Sequence, residues 1–457
     1  MGEAEMTTHI PEFSCENSAV NQAYELAVSD LLSNVHPFED GLLTEHRDCI
    51  MAGAGYDTPW TRDAAINVWN GAGLLLPEVS KNTLLSTLIR DKGQVRVGGQ
   101  YWDAIIWAKG AEAYWLFNED QAFRRLAGEA ICNTLAYFEA TEFDETRRLF
   151  RGPACYGDGV AAYPDHDVTG VSGILSFPEV FPERCCDRGV GIPMFALSTN
   201  CLYESAYRIA YRLTGRTRYL RQAEELADAI NLVFWDSERG TYNYLLDDKG
   251  TCSSQEALGL SFAITLGIAA QEQVESILRT VHLSPNGIPV LYPCFDRYLP
   301  YGLGRHCGTV WPHAQAFWAC AVAEKDPGKF ALELFALTRN ALRDGYFSEI
   351  YHPETGLPCG GAQEGGHGIH TDWVSQKHQT WSATGYLRMI LYTVCGLHFA
   401  EDHLIVRPIG LKELGTVHLR SLRFRDMTLD LTISPRESGR PAQTTLPFQP
   451  GKVSLTL

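Results

Sequence analysis

Apolar positions along most of the chain follow the helical period. In the first segment Val20, Tyr24, Ala27 and Leu31 lie three and four residues apart, which places them on one face of a helix. The same periodicity continues to about residue 393, with almost no strand signal. It predicts about twelve helices. After the first segment, the predicted helices cover residues 63–76, 80–89, 101–117, 121–140, 193–213, 218–235, 254–266, 271–281, 309–324, 327–342 and 374–393.

The connections between these helices alternate between short and long. Short connections such as residues 213–216 favour antiparallel neighbours. Three long ones, at residues 141–192, 282–308 and 346–373, hold most of the glycine, proline, tryptophan and unpaired acidic residues. Six helical hairpins closed into a ring would place these long connections at one mouth. Because no fixed-period repeat typical of a solenoid is present, we expect an all-α ring and not an open bundle or solenoid.

After Gly396 the pattern changes to the period of two that is typical of β-strands. Pro408, Gly410 and Gly415 separate the alternating segments, which are residues 404–406, 417–419, 422–424 and 429–433. We therefore expect a helical domain at residues 1–398 and a small C-terminal β appendage at residues 399–457.

Composition excludes several classes of protein. The net charge of −17, from 38 basic and 55 acidic residues, argues against a nucleic-acid partner, which normally faces a basic surface. It also argues against docking to an anionic membrane, and no apolar run approaches the roughly 18 residues that a membrane span needs. The hydrophobic content of 45% is ample for a large core, so general disorder is excluded.

Cysteine usage and the N-terminus predict a cytoplasmic protein. The thirteen cysteines are scattered, and they form no C-x-x-C motif. In a chain of this size they indicate free thiols in a reducing compartment and not a disulfide framework. The acidic segment of residues 1–6 shows no apolar core of a signal peptide.

The long connection at residues 346–373 carries the densest candidate chemistry. It contains four acidic residues including Glu349 and Glu364, three histidines, two glycine pairs and Trp373. Long irregular loops in compact enzymes usually line a site. Aromatic rings stack on sugar faces and carboxylates accept hydrogen bonds from hydroxyl groups, so this mixture suits a carbohydrate. We predict that Glu349 is a catalytic carboxylate.

Two segments near the first helices offer further sugar contacts. Trp60, Arg62 and Asp63 immediately precede or begin a helix. They form either a sugar subsite, with the indole stacking and the charged groups on ring hydroxyls, or a helix cap with a buried tryptophan and with Arg62 paired to an acid. Asp103 follows Trp102 in an aromatic segment, and it is either a helix cap or a carboxylate that faces the ligand.

Asp158 lies between two glycines in the long connection at residues 141–192. Its carboxylate is either presented to a cavity or used for a local turn, as Gly-Asp-Gly sequences often do. Later in the chain, the segment 306–315 contains Trp311, His313 and Gln315, and Trp381 opens the last helix. The histidine and cysteine spacing in the segment 306–315 fits no strong zinc pattern, so no metal site is expected.

Four of these segments together resemble the six-hairpin, (α/α)6-toroid glycosidases, in particular glycoside hydrolase families 63, 37 and 100. Those families include α-glucosidases, trehalases and neutral invertases. The similar segments keep their order over most of the chain: Trp-Thr-Arg-Asp at 60–63, Gly-Thr-Val-Trp-Pro at 308–312, Glu-Ile-Tyr at 349–351 before Pro-Glu-Thr-Gly, and Trp-Ser-Ala-Thr-Gly-Tyr at 381–386.

The resemblance implies a general acid at Asp158 and a general base at Glu349, acting with inversion and without a metal or redox cofactor. Inversion needs the two carboxyl groups about 6.5–9.5 Å apart, with a water between the base and the sugar. The family usually has Trp-Asp at the acid, where this chain has Gly157-Asp158. Asp165 and Asp103 are therefore alternative acids. The implied substrate-binding residues are Trp60, Arg62, Asp63, Trp102, Asp103, Trp311, His313, Gln315, Glu364 and Trp381.

The expected activity is hydrolysis of a small α-glucoside or related oligosaccharide from its end. A sugar phosphorylase on the same ring is one alternative, with phosphate replacing water. An N-acyl-sugar epimerase or isomerase is another, and it would use paired histidines among His306, His313, His370 and His378. A non-catalytic carbohydrate binder is the third. The sequence does not specify the sugar, its linkage or the oligomeric state.

Overall fold

The computed structural model describes residues 10–168, 170–185, 191–365, 368–371, 373–436 and 443–457. Within these residues helices alternate with long connections over most of the chain. The α-helices are α1 (Ser18–Ser33), α2 (Thr61–Asn67), α3 (Gly73–Leu75), α4 (Pro77–Ser86), α5 (Trp107–Asn118), α6 (Gln121–Thr141), α7 (Phe177–Val180), α8 (Leu197–Thr214), α9 (Thr217–Phe234), α10 (Ala257–Thr265), α11 (Gln271–Thr280), α12 (Pro312–Val322), α13 (Pro327–Asp344) and α14 (Thr380–Arg388). A π-helical segment joins α2 to α3 at Val68–Ala72, and another extends α14 through Met389–Val394.

Local sequence explains where several helices begin and end. The side chains of Asn17, Asp120 and Asp326 accept hydrogen bonds from the first turns of α1, α6 and α13. Helices α8 and α13 end at Gly215 and Gly345, whose φ values of 67° and 76° lie in the left-handed region that glycine enters without steric cost. The helix stops visible in the sequence are therefore real boundaries.

Six helices contact one another in a closed cycle. Helix α2 packs against α5, α5 against α8, α8 against α10, α10 against α12, α12 against α14, and α14 returns to α2. Helices α9 and α13 pack against α8 and α12, and α1 lies against both α13 and α14. Because the last of the six helices contacts the first, the contacts form a ring and not an open row.

The helical part contains many short strands, so the expectation of almost no strand is wrong. They are β2 (Val35–Phe38), β3 (Arg47–Ile50), β4 (Leu88–Asp91), β5 (Gln94–Val97), β6 (Phe143–Asp144), β7 (Leu149–Phe150), β8 (Met194–Ala196), β9 (Trp235–Asp236), β10 (Thr241–Tyr242), β11 (Leu245–Asp247), β12 (Thr251–Cys252), β13 (Gln255–Glu256), β14 (Leu291–Tyr292), β15 (Gln363–Gly365) and β16 (Gly368–His370). They satisfy backbone groups in the connections between helices. Strands of two to four residues are too short to show a readable alternation.

The C-terminal strands form two small sheets. They are β17 (Leu397–Phe399), β18 (His403–Val406), β19 (Val417–Phe424), β20 (Met427–Ile433), β21 (Thr444–Pro447) and β22 (Gly451–Thr456). The first sheet has the order β17-β18-β21. The second has the order β1-β19-β20-β22, in which β1 (Glu12–Ser14) comes from the N-terminal part of the chain. A three-residue strand carries no period, so its place in this sheet was not predictable.

Several predicted helices begin too early, among them the helix predicted at residues 101–117, since α5 starts at Trp107. Residues 194–196 form β8, and α8 starts at Leu197. The last helix starts at Thr380 and not at residue 374, and the extended residues before it pair with the loop that holds Glu349: the backbone N–H of Glu349 donates to the carbonyl of Gln376 at 2.8 Å. This extended segment therefore belongs to the wall of the cavity described below.

Two expectations from the sequence concern the state of the cysteines and the absence of a membrane-spanning segment. Among the cysteines that the structure describes, no two are joined by a disulfide bond. Within the described residues, no helix combines the length and the apolar character needed to cross a bilayer. The prediction about a signal peptide falls on residues 1–6, outside the described residues.

Candidate active site

A cavity of about 330 Å³ opens where α2, α12 and α14 begin. The first residues of these helices and the long connections between helices form its wall. The lining residues are Tyr56, Trp60, Thr61, Arg62, Asp63, Gly99, Gln100, Asp103, Tyr156, Asp158, Gly159, Ser172, Gly173, Arg305, His306, Trp311, Glu349, Gln363, Trp373, Gln379 and Trp381. The cavity thus combines four carboxylates with four tryptophans, which suits a polyhydroxylated ligand.

Glu349 is held on both of its oxygens. The Tyr56 hydroxyl donates to Oε1 at 2.9 Å, and Nη2 of Arg305 lies 3.0 Å from Oε2. The backbone N–H of Gln376 also donates to Oε2, at 3.3 Å. Only 3% of the Glu349 side chain is exposed, so its orientation is fixed by these partners.

Arg62 joins a second group of carboxylates. Its Nη1 lies 3.1 Å from Oδ2 of Asp103, and its Nη2 lies 3.4 Å from Oδ2 of Asp158. On the other side of Asp158, Nε2 of His306 lies 3.4 Å from Oδ1. Asp103 is buried, whereas 42% of the Asp158 side chain is exposed to the cavity. Asp158 is therefore the carboxylate of this group that a ligand can reach.

The carboxyl groups around Arg62 differ in proton affinity. Burial raises the pKa of Asp63 to about 8, although Arg62 opposes the shift. Burial likewise raises the pKa of Asp103 to about 7 against the same guanidinium. For Asp158 burial acts in the same direction, but Arg62 and His306 outweigh it and hold the pKa below its usual range. The group as a whole thus holds protons near neutral pH, and Asp158 is its ionised member.

Aromatic rings form the remaining wall and support the charged groups. The Arg305 guanidinium lies 5.7 Å from the ring centre of Trp311 and 5.4 Å from that of Trp373. Arg62 lies 5.5 Å from the ring centre of Trp381. These cation–π distances help to keep both guanidinium groups in place. Trp60, half exposed and with a φ of 47°, stands at the rim.

Eight of the predicted site residues lie together in this wall. They are Trp60, Arg62, Asp63, Asp103, Asp158, Trp311, Glu349 and Trp381. The competing interpretation of Trp60 as a buried tryptophan is wrong, since 52% of its surface is exposed. The interpretations of Asp63 and Asp103 as helix caps also fail, because neither side chain makes a capping hydrogen bond.

Trp102 and His313 were expected to contact substrate but lie outside the cavity wall. Trp102 is fully buried and packs edge-on against Tyr101. His313 is also fully buried and stacks behind Trp381, with ring centres 4.1 Å apart. Burial lowers the pKa of His313 well below its usual value, so the imidazole is neutral. Both residues support the wall from behind.

Gln315 and Glu364 are likewise structural and not ligand-facing. The side-chain amide of Gln315 donates to the carbonyls of Asn286 and Glu333, at 3.2 Å each. Glu364 accepts from Nε of Arg297 at 2.8 Å and from the hydroxyl of Tyr298. A sequence position next to a cavity-lining residue does not reveal on which side of the backbone the side chain lies.

The alternative acid Asp165 is also outside the wall. Its Oδ1 lies 2.7 Å from Nη1 of Arg297, and nearly half of the side chain is exposed to solvent. Of the two alternatives to Asp158, only Asp103 lies in the cavity.

Several lining residues were missed, above all Tyr56 and Arg305, which hold Glu349. Each lies close to a segment that we singled out: Tyr56 is four residues before Trp60, and Arg305 directly precedes the segment 306–315. In the sequence, the only signals were the aromatic ring of Tyr56 and the charge of Arg305. Residues of both types are common on protein surfaces, so these signals did not indicate a site.

One group of described residues outside the cavity offers several potential metal ligands. Ligand atoms of His166, Asp167 and Asp247 lie within 4.8 Å of one another. Arg184 already donates to Asp167 at 2.8 Å, and His166 lies 2.7 Å from Asp247, so the group is held together by internal ion pairs.

Part of the chain matches a known family. Residues 198–382 match the family model described as the mannosylglycerate hydrolase MGH1-like glycoside hydrolase domain. This segment is therefore similar to a glycoside hydrolase domain. The matched segment includes Arg305, Trp311, Glu349 and Trp381, whereas the Arg62 group precedes it. No curated protein sequence matches the chain.

Solved structures share the fold. The family 63 mannosylglycerate hydrolase from Thermus thermophilus, in complex with glucose, is 15% identical with a TM-score of 0.55, over 80% of this chain and 99% of its own. A sialidase is 13% identical, with a TM-score of 0.66, over 91% of this chain and 37% of its own. A family 78 rhamnosidase from Bacillus sp. GL1 is 14% identical, with a TM-score of 0.60, over 93% of this chain and 42% of its own.

This chain thus spans less than half of the sialidase and rhamnosidase chains, but nearly all of the mannosylglycerate hydrolase. At these identities the likeness concerns the fold. The chain resembles the six-hairpin glycosidases, and its helical content and its family 63 neighbours fit an (α/α)6 toroid.

Proposed function

We propose that this chain is an inverting glycoside hydrolase that removes a terminal sugar from a small glycoside, with Asp158 as general acid and Glu349 as general base. The observation that carries the proposal is the meeting of these two carboxylates in one aromatic cavity, although they come from different long connections. Each is held by a guanidinium of its own: Arg62 for Asp158 and Arg305 for Glu349.

Glu349 suits the role of base. Tyr56 and Arg305 hold one oxygen each, which fixes the carboxylate and stabilises its negative charge. A positioned carboxylate of this kind takes a proton from the attacking water as that water approaches the anomeric carbon.

Asp158 suits the role of acid if it receives a proton from its neighbours. Arg62 and His306 favour the ionised form of Asp158 and lower its pKa, against the effect of burial. Asp63 and Asp103 hold protons near neutrality and interact with the same guanidinium. A bound sugar displaces water from the exposed side of Asp158, which raises its proton affinity relative to these neighbours. Asp158 then takes up a proton held by Asp63 or Asp103 and delivers it to the glycosidic oxygen.

Architecture supports an inverting, exo-acting enzyme. We assign residues 1–398 to an (α/α)6 toroid and residues 399–457 to the β appendage. The strand β1 pairs with β19 and so extends one of the two sheets of the appendage. The two proposed catalytic carboxylates come from separate connections, and inversion requires that they leave space for one water between base and sugar. The cavity is small and rimmed by Trp60, which favours a single terminal sugar over an internal site on a polymer.

A neutral sugar is the favoured substrate, with a small α-glucoside first. Both arginines in the wall already contact carboxylates, and these ion pairs offset the positive charge that a negatively charged substrate group would need. Rhamnosides, named for one similar protein, are the next candidates, and mannosylglycerate, named for another, ranks below them because its glycerate group is an anion. An epimerase is disfavoured, because His313 lies behind Trp381 and His378 is paired with Asp30 at 2.7 Å.

A panel of glycosides tests the proposal. Purified protein is incubated with α-glucosides, mannosylglycerate and rhamnosides, and free sugar is measured with and without inorganic phosphate. We expect free sugar at equal rates under both conditions. Turnover that requires phosphate would identify a phosphorylase instead. Proton NMR of the first product then determines stereochemistry, and release of the same anomer as in the substrate would contradict inversion.

A further inference from the structure

A second cavity lies at the other end of the ring. Its volume is about 550 Å³. Helix α14 and its π-helical extension run between the two cavities: Trp381 lines the first, and Tyr392 lines the second. Eleven residues of helix correspond to roughly 16 Å. Likewise Trp311 and Cys320, before and within α12, line the first and second cavities. The second cavity is therefore distinct from the proposed active site.

The wall of the second cavity is rich in positive charge, although the chain has a net charge of −17. Lys109, Arg212 and Arg388 line it. Glu112 is the carboxylate that contacts them: its Oε2 lies 2.5 Å from Nζ of Lys109, and its Oε1 contacts Arg212. The other lining carboxylate, Glu401, is turned to Arg124, which lies outside this wall. Three cationic side chains thus share this wall with two carboxylates, of which Glu112 contacts Lys109 and Arg212, and Glu401 also attracts Arg212.

Arg388 is the central cation of this wall. It is only 5% exposed, and its guanidinium lies 4.8 Å from the ring centre of Trp69 and 4.4 Å from that of Phe317. Its Nη1 lies 3.4 Å from Oδ1 of Asn70, its guanidinium also hydrogen-bonds to the thiol of Cys320, and Nε has no hydrogen-bond partner among the described residues. A buried guanidinium that is held by aromatic rings and retains a free donor is prepared for an anion.

A further donor and a second cation support this arrangement. Nε1 of Trp115, which lines the same cavity, is buried and also has no partner among the described residues. Lys109 lies 5.0 Å from the ring centre of Trp69, so the indole contacts two cations. Burial lowers the pKa of Lys109 to about 7, and Arg212 and Arg388 contribute to the shift. An anion between these cations would relieve their mutual repulsion.

We propose that the second cavity binds a small phosphate-bearing anion through Arg388, Lys109 and Arg212. Guanidinium groups match the oxygens of a phosphate in geometry and charge, and the ammonium group adds a third contact. The volume accommodates either inorganic phosphate or a phosphate monoester of a small sugar. The proposal is independent of the catalytic assignment, because it concerns binding at the opposite end of the ring.

Calorimetric titration of the full chain with inorganic phosphate tests the proposal. Glucose 6-phosphate, as a phosphate ester, and glucose, as a neutral control, are titrated in parallel. We expect one phosphate per chain. A larger affinity for the ester than for phosphate would identify a sugar phosphate as the ligand, and similar affinities would identify the free ion. Absence of binding by both phosphate probes would overturn the proposal, as would equal binding of neutral glucose at this site.

Single-residue variants test whether phosphate binds in the second cavity. Arg212→Met is the first choice because 41% of its side chain is exposed, so the fold tolerates the change, and Lys109→Met is the second. Loss of a charge-assisted hydrogen bond should weaken phosphate binding about tenfold or more in each. Lys325→Met, which removes an exposed charge elsewhere, and Arg305→Met, in the first cavity, should bind as the unmodified chain does. Unchanged binding in both cavity variants, or loss in Arg305→Met, would overturn the proposal.

Discussion

Nη2 of Arg305 lies 3.0 Å from Oε2 of Glu349, and the residues are 44 positions apart in the chain. Arg305 comes from the connection before α12, and Glu349 follows α13. The packing of α12 against α13 brings these two connections together at one end of the helical pair. The ion pair fixes the carboxylate that we propose as the base, and the first prediction concerns that carboxylate.

Glu349→Gln should lower kcat by at least about 10²–10⁴-fold, because the amide cannot accept the proton of the attacking water. The amide keeps the size of the side chain, so the melting temperature should change little. Glu354→Gln, an exposed carboxylate on the same loop, is the matched control and should retain full activity. Near-normal turnover by Glu349→Gln would remove this residue from the mechanism.

Asp158→Asn should show the signature of a lost general acid. Substrates with a poor leaving group, which need protonation, should lose about 10²–10⁴-fold in kcat/KM. Nitrophenyl glycosides, whose leaving group departs without a proton, should lose much less. Asp165→Asn is the control, since Asp165 pairs with Arg297 outside the wall. An equal loss on both substrate types would point to a different role, and the same pattern in Asp103→Asn would identify that residue as the acid.

Asp63 should lower the free energy of unfolding as the pH rises. In the folded chain it keeps its proton up to about pH 8, whereas its ordinary pKa is 3.8. Between these values the folded state binds more protons than the unfolded state, so raising the pH through this window lowers the free energy of unfolding. Asp63→Asn removes this contribution, and the variant should gain stability relative to the unmodified chain as pH rises from 4 to 8.

Urea denaturation at pH 5 and pH 8 measures the Asp63 effect. Asp57→Asn, an exposed carboxylate in the same segment, serves as the control and should follow the unmodified chain at both pH values. Parallel pH profiles for Asp63→Asn and the unmodified chain would show that Asp63 does not hold a proton at neutral pH.

Trp60→Ala should weaken substrate binding without affecting the fold. The ring is 52% exposed at the rim of the cavity, so little buried area is lost on truncation. Loss of a stacking contact worth about 0.5–1.5 kcal/mol should raise KM roughly two- to twelvefold. Steady-state kinetics on the best glycoside of the panel measures the effect, and an unchanged KM would place the sugar away from Trp60.

Trp102→Ala should have the opposite profile. The side chain is fully buried and lies outside the cavity wall, so its removal leaves a void in the core. The expected loss in the free energy of unfolding is about 3–5 kcal/mol, measured by urea denaturation. Trp102→Phe fills much of that void and should restore most of the stability, with KM unchanged. A raised KM in Trp102→Phe would return this residue to the substrate site.

Sequence periodicity was sufficient to predict most helices and the change to strands after residue 396. Helix formation depends on neighbours three and four residues apart, and caps such as Asn17 and Gly215 act within a few residues, so these features are readable locally. The motifs around Trp60, Asp158, Glu349 and Trp381 were also readable, because residue types that suit sugars cluster there.

The tertiary structure alone decided which neighbours of these motifs face the ligand. Trp102 and Asp103 are adjacent, yet only the carboxylate reaches the cavity wall. Tyr56 and Arg305 became visible as partners of Glu349 only when the ring brought distant connections together. The proton affinities of Asp63 and Asp103 likewise depend on burial beside Arg62. Contact, burial and charge at a site are sums over groups far apart in the chain, and no local sequence pattern contains them.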